Sequence, residues 1–185
     1  MKKRIIPAGV IVLTFAVMAV FAQGFKSIRE VLLGFEEVPA VSTVAQGEFK
    51  ATINKDETEI TYELSYSALE GDVQQAHIHF GQRGVNGGIS VWLCSNLPTP
   101  PTPASPPFPP TQACLPSPAT ITGTITPNHV VGPTGQGIAA GEFAELIRAI
   151  RAGSTYVNVH TTKFPGGEIR SQIDHGEGNE HGTRK

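Results

Sequence analysis

Polar and apolar residues alternate with a period of two through much of the chain. Between Glu48 and Ile53, the residues Phe49, Ala51 and Ile53 share one face. From Thr58 to Tyr66, Ile60, Tyr62, Leu64 and Tyr66 oppose Glu59, Thr61, Glu63 and Ser65. Successive side chains of a strand point to opposite faces, so each run predicts a strand with one buried face. The turn residues Asn54 to Glu57 between them predict a hairpin. Further strands are predicted at Val73 to Phe80, Ile89 to Cys94, Ala119 to Ile125, Thr155 to His160 and Glu168 to Ile173. Phe35 to Val41 reads as a first edge strand whose pairing Pro39 limits. One segment has another period. Phe143, Leu146, Ile147 and Ile150 recur at helical spacing and Gly153 follows as a stop, which predicts one short helix near residues 141–152. Seven or eight short strands and a helix make an all-β domain, a Greek-key or immunoglobulin-like β-sandwich or barrel.

The two ends depart from this pattern. Met1 to Arg4 is cationic and Ile5 to Ala22 is apolar apart from Thr14, the layout of an export leader. Val20-Phe-Ala22 puts a small residue before Gln23, so residues 1–22 are expected to be a signal peptide cleaved there. The alternative is an uncleaved membrane anchor, since a run of 18 residues just spans a bilayer. Pro7, Gly9 and the small residue at the end of the run favour cleavage. The expected location is outside the cytoplasm, secreted or periplasmic, with any membrane contact through that segment alone. The tail, residues 174–185, has almost no apolar residues and is expected to be disordered. Residues 33–173 remain as the folded domain.

Composition narrows the function classes. Charged residues make up only 16%, with 20 Gly and 15 Pro, and the net charge is −2. Removing Lys2, Lys3 and Arg4 with the leader leaves −5, which excludes a nucleic-acid binder that works by charge. Cys94 and Cys114 enclose a proline-rich loop, residues 95–113, too dense in proline for a sheet ladder. In an exported chain the two cysteines are expected to pair at the base of this loop, worth about 3 kcal/mol in the chain-entropy account. The other reading of them is as thiolate metal ligands. Ser65, Ser67 and Ser90 lack the setting of an activated nucleophile. The glycines near 84–88 and 166–167 lack the strand–loop–helix setting of a phosphate loop.

Ala76-His-Ile-His-Phe80 is the sharpest local feature. His77 and His79 share one strand face while Ala76, Ile78 and Phe80 share the other, so both imidazoles point away from the apolar core, about 7 Å apart along the backbone. In Thr155 to His160, Val157 and Val159 suit the core, which puts Tyr156, Asn158 and His160 on the outer face. If the two strands are neighbours, His77, His79 and His160 meet. Three neutral imidazoles with an open position suit copper or zinc. The other reading is that they only hydrogen-bond adjoining loops. His129 sits in a loop, as a fourth ligand or with no role, and His175 and His181 lie in the tail. Glu168, Arg170 and Gln172 share a strand face, where Glu168 and Arg170 read as an outward ion pair or a cap on the 161–167 turn. Together with Asn158, these two are candidate outer-shell partners of a metal. Glu36 and Glu37 read as surface charges, with a role as outer-shell partners as the other reading.

Phe35-Glu-Glu-Val-Pro39, Ala76-His-Ile-His-Phe-Gly81, Asn86-Gly-Gly88, Ala152-Gly-Ser-Thr-Tyr-Val-Asn-Val-His-Thr161 and Pro165-Gly-Gly-Glu-Ile-Arg-Ser-Gln-Ile173 together resemble the CHRD domain, named for chordin. The resemblance runs from about Leu33 to Ile173 and implies an extracellular all-β domain without an assigned chemistry. A weaker resemblance is to the copper site of copper–zinc superoxide dismutases. It would give His77, His79 and His160 the copper and Arg170 the guidance of an anion. The chain departs from those enzymes in lacking a histidine- and aspartate-bearing zinc loop and a bridging histidine after His79. The leading expectation is an exported protein that binds or handles a transition metal, copper before zinc, rather than turning over a substrate. An extracellular protein-interaction module without metal is the alternative, and a dismutase-like redox enzyme stands behind both.

Overall fold

A computed structural model of the protein describes residues 26–97 and 109–174. The expected leader, most of the proline-rich loop and the expected disordered tail beyond Asp174, with His175 and His181, lie outside the described residues. The described residues form eight strands: β1 (Lys26–Leu33), β2 (Gln46–Ile53), β3 (Ile60–Ser67), β4 (Val73–Phe80), β5 (Gly88–Ser95), β6 (Ala119–Ile125), β7 (Thr155–Thr161) and β8 (Ile169–Ile173). Among the described residues a single α-helix, α1 (Phe143–Arg151), precedes β7 and buries Phe143, Leu146, Ile147 and Ile150 in the core.

The strands make one antiparallel sheet in the order β5-β4-β7-β8-β1-β2-β3-β6. The sheet curls into a nearly closed barrel. Because β3 pairs with β6 rather than β4, the connection is a Greek key. The period-2 phases place Phe49, Ile53, Ile60, Leu64, Ile78, Val157 and Val159 inside, all buried. That face is the core predicted from alternation.

The first strand is a correction. Phe35 to Val41 is not an edge strand; Gly34–Glu36 forms a 3-10 turn, and the backbone N–H groups of Glu37 and Val41 both return to the Gly34 carbonyl. Turned back on itself, the segment does not run extended beside a neighbouring strand. The strand is Lys26–Leu33, an inner one between β8 and β2.

The ends of the sheet, β5 and β6, share no ladder, and side chains close the seam instead. Gln112 Nε2 donates to Leu93 O and Thr122 O, and Tyr62 Oη donates to Leu93 O at 3.1 Å. Val91 makes a single bridge to Val130, and a Cys94–Cys114 disulfide ties the segment after the proline-rich loop to β5. Gly123 lies under this Tyr62 ring, where an added Cβ would meet ring atoms at 2.6–2.7 Å. The ring is tethered through its hydroxyl and cannot slide aside freely. Gly123→Ala is therefore expected to cost about 1–3 kcal/mol, read as a lower urea midpoint at unchanged slope. An unchanged midpoint would show that the tether yields.

Candidate metal centre

The pairing of β4 with β7, and of β7 with β8, builds the site. His77 sits opposite Asn158, His79 opposite Tyr156 and Gln75 opposite His160, while Asn158 and Tyr156 face Arg170 and Gln172 in turn. Side chains two residues apart share a face, so His77, His79, Tyr156, Asn158, His160, Arg170 and Gln172 project from one side of the sheet, away from Ile78, Val157 and Val159. The sequence places this polar row on the outer face, and so it is. It is not open to water, however. His77, His79 and His160 are 1%, 8% and 7% exposed, because the chain around Gly87 and the 161–167 turn fold over them. Trp92 of β5 closes one flank, its ring edge-on to His77 at 4.2 Å, and Tyr156 stacks on His79 at 4.6 Å.

Within this layer the three imidazoles converge. His77 Nδ1 lies 3.2 Å from His160 Nε2, and one ligand atom from each of the three rings falls within 4.8 Å of the others. Nitrogens sharing an ion at about 2.0–2.1 Å sit roughly 3–3.5 Å apart, so the widest gap closes with side-chain rotation of about 1 Å. The tautomers suit this. His79 Nδ1–H donates to Gly87 O and His160 Nδ1–H to Pro165 O, each at 2.9 Å, since a carbonyl can only accept. The Nε2 lone pair of His79 is thereby free, while that of His160 accepts the His77 Nδ1–H in the metal-free protein; backbone carbonyls hold both rings as metal-binding histidines commonly are. The Nε2 atoms of His77 and His79 are buried without a partner. An orphaned buried nitrogen is costly unless something occupies it, and a metal would answer that cost for His79. Among the described residues this is the one group of three His, Cys, Asp or Glu side chains close enough to hold an ion.

Burial also keeps the rings neutral. It pushes His77 down to about 2, with the neighbouring His160 and His79 rings adding to the effect. Burial takes His79 down to about 4 against the opposing pull of the Gly87 carbonyl, and it lowers His160 against that of Pro165. A metal competes with protons for such nitrogens only at acid pH. In the metal-free protein the imidazole C–H resonances of His77 and His79 are expected to show no protonation between pH 7 and pH 5. A midpoint near the ordinary 6.5 would mean that the site is wet and open.

The other candidate residues have separate placements. Arg170 is 1% exposed and donates to Asn86 Oδ1 and Val85 O, not to Glu168, so the two are not an outward ion pair. Glu168, also buried, accepts from Thr43 Oγ1, Thr161 Oγ1 and the Glu70 N–H, and Thr161 Oγ1 in turn accepts the Phe164 N–H of the turn that carries Pro165. Asn158 lies beside His79 and Glu37. Glu37 is a further correction: it is 5% exposed, and burial raises its carboxyl to about 7 against the opposing charge of Arg170. The 34–41 turn tucks it inward, which local polarity did not signal. His129 caps its own turn, accepting the Thr126 N–H at Nδ1, and takes no part in the cluster. A 220 Å³ cleft beside the seam shares Trp92 as a wall but is not lined by the three imidazoles.

The family model described as the CHRD domain matches residues 28–173. No curated protein and no solved structure matches the chain.

Proposed function

The chain belongs to the CHRD domain family, and we propose that it is an exported domain whose outer-face histidines His77, His79 and His160 bind one transition-metal ion, copper before zinc. The disulfide and the family's extracellular setting support export. The observation that carries the metal reading is the 3.2 Å approach of His77 Nδ1 to His160 Nε2, with two of the three tautomers set by backbone carbonyls. An all-imidazole donor set suits copper and zinc, and at equal geometry nitrogen donors favour Cu²⁺ over Zn²⁺. When bound, such an ion supplies Lewis acidity or, for copper, one-electron chemistry. Binding or handling fits better than turnover, because the rings are buried and the two terminal nitrogens of Arg170 are committed within the protein.

Trp92, the sole tryptophan, gives the experiment its signal. Cu²⁺ added to the mature protein is expected to quench its fluorescence to an end point at one equivalent, since the indole lies 4.2 Å from the His77 ring. Zn²⁺ should compete for the same equivalent more weakly. No stoichiometric copper by elemental analysis and no saturable quenching would defeat the metal reading. The interaction-module reading would then stand in its place. It has its own support in Val31 and Leu33, exposed on the solvent face of β1, and in Phe35, 72% exposed just after them.

A further inference from the structure

The backbone carbonyl that orients His79 belongs to Gly87, in the connection between β4 and β5, and a connection of this kind holds a carbonyl in place only if something holds the connection. Arg170 does so from the start of β8. Its Nη1 donates to Asn86 Oδ1 at 3.0 Å and its Nη2 to Val85 O at 2.8 Å. Its Cζ lies 3.3 Å from the centroid of the Tyr156 ring, the ring on which His79 stacks with an interplanar angle of 2°. The Tyr156 hydroxyl accepts the Gly87 N–H at 3.2 Å, so Gly87 is gripped on its N–H side by Tyr156 and on its carbonyl side by His79. Asn86 also donates to Val38 O at 2.8 Å, which ties the same residues to the 34–41 turn. No side chain fits at Gly87, where a Cβ would fall 1.8 Å from Phe80 O.

We propose that Arg170 is a positioning residue for the metal ligand His79. Its fork-shaped guanidinium clamps Val85 and Asn86, fixes the Gly87 carbonyl, and so keeps the His79 proton on Nδ1 and the lone pair on Nε2. The inference rests on the metal reading above. A lysine cannot replace the fork, because its ammonium presents no planar pair of donors and does not stack on Tyr156 in the same way. Partners that orient a ligand in this manner are worth about 10–100-fold in metal affinity.

The test uses the whole mature chain with Arg170→Lys, Arg170→Met and Asn86→Ala. Two readouts are taken: Cu²⁺ affinity by competition against a chelator, and the His79 Nδ1–H signal in imidazole NMR of the metal-free protein. Both Arg170 variants are expected to lose about 10–100-fold in Cu²⁺ affinity. They should also lose the slowly exchanging His79 Nδ1–H signal, while that of His160, held by Pro165, persists. Asn86→Ala should move both readouts in the same direction by less. Wild-type affinity together with an intact His79 signal in Arg170→Lys would overturn the proposal. If Arg170→Met does not fold, Arg170→Lys and Asn86→Ala decide. Should the wild-type chain bind no copper, the metal reading fails, while the His79 signal still decides whether the clamp exists.

Discussion

His160→Ala is expected to abolish copper binding at physiological concentrations while leaving the barrel folded. His160 is the one ring of the cluster that β7 supplies, and its Nε2 makes the closest approach to His77. Without it, His77 and His79 remain as two rings from one strand, their centroids 5.1 Å apart. Changes to outer-shell partners already cost about 10–100-fold, so loss of a ligand should exceed about 100-fold. The structural cost is local. Pro165 O loses one donor at the edge of the turn and the buried His77 Nδ1–H loses its acceptor, together worth about 2–4 kcal/mol, and the strand register is unaffected. Competition titration followed at Trp92 measures the affinity, and far-ultraviolet circular dichroism checks the fold. His129→Ala, outside the cluster, serves as the control and should bind as the wild type does. Equal affinities in His160→Ala and wild type would place the copper elsewhere.

Removal of the disulfide should produce a large loss of stability. The bond spans a sequence separation of 20 residues, and closing a loop of that length is worth about 3 kcal/mol in the chain-entropy account. For a domain of this size that is a fall of roughly 6–12 °C in Tm. The bond's location adds a reason. It lies beside the seam where β5 and β6 share no ladder, so little else ties the returning chain to β5. Asn96 and Gln112 remain, the former bonded to both the N–H and the carbonyl of Cys114. A Cys94→Ser, Cys114→Ser double variant compared by urea unfolding gives the value. A loss below about 1 kcal/mol, against the 3 of the loop estimate, would mean that these polar ties already hold the segment in place.

Alternation alone revealed most of the strands, because a half-buried strand writes its inner face as every second residue. Val73 to Phe80 and Ala119 to Ile125 match their strands end to end. It failed at β1. There Glu30 falls on the same face as the buried Ile28 and Leu32, while Val31 and Leu33 face solvent. A charge on the core phase and apolar residues on the water phase erase the period. The inward Glu30 is only half-buried, and burial raises its carboxyl to about 7.

For the site, local pattern determined which face each histidine takes, since the phase of His77 and His79 is forced by Ile78 and that of His160 by Val157 and Val159. The pairing of the two cysteines followed from their position at the ends of a segment that cannot join a sheet. Tertiary structure alone decided that β4 and β7 are neighbours and that their register sets His77 opposite Asn158, bringing His160 to its side. It also decided that Gly87 and Pro165 arrive above the rings, turning a polar outer face into a dry one, and that Glu37 and Arg170 are buried. The reason is the range of the forces involved. Strand phase is set by neighbours two residues apart, whereas His77 and His160 are brought together by a ladder between segments 83 residues apart in sequence, whose register depends on the packing of the whole barrel.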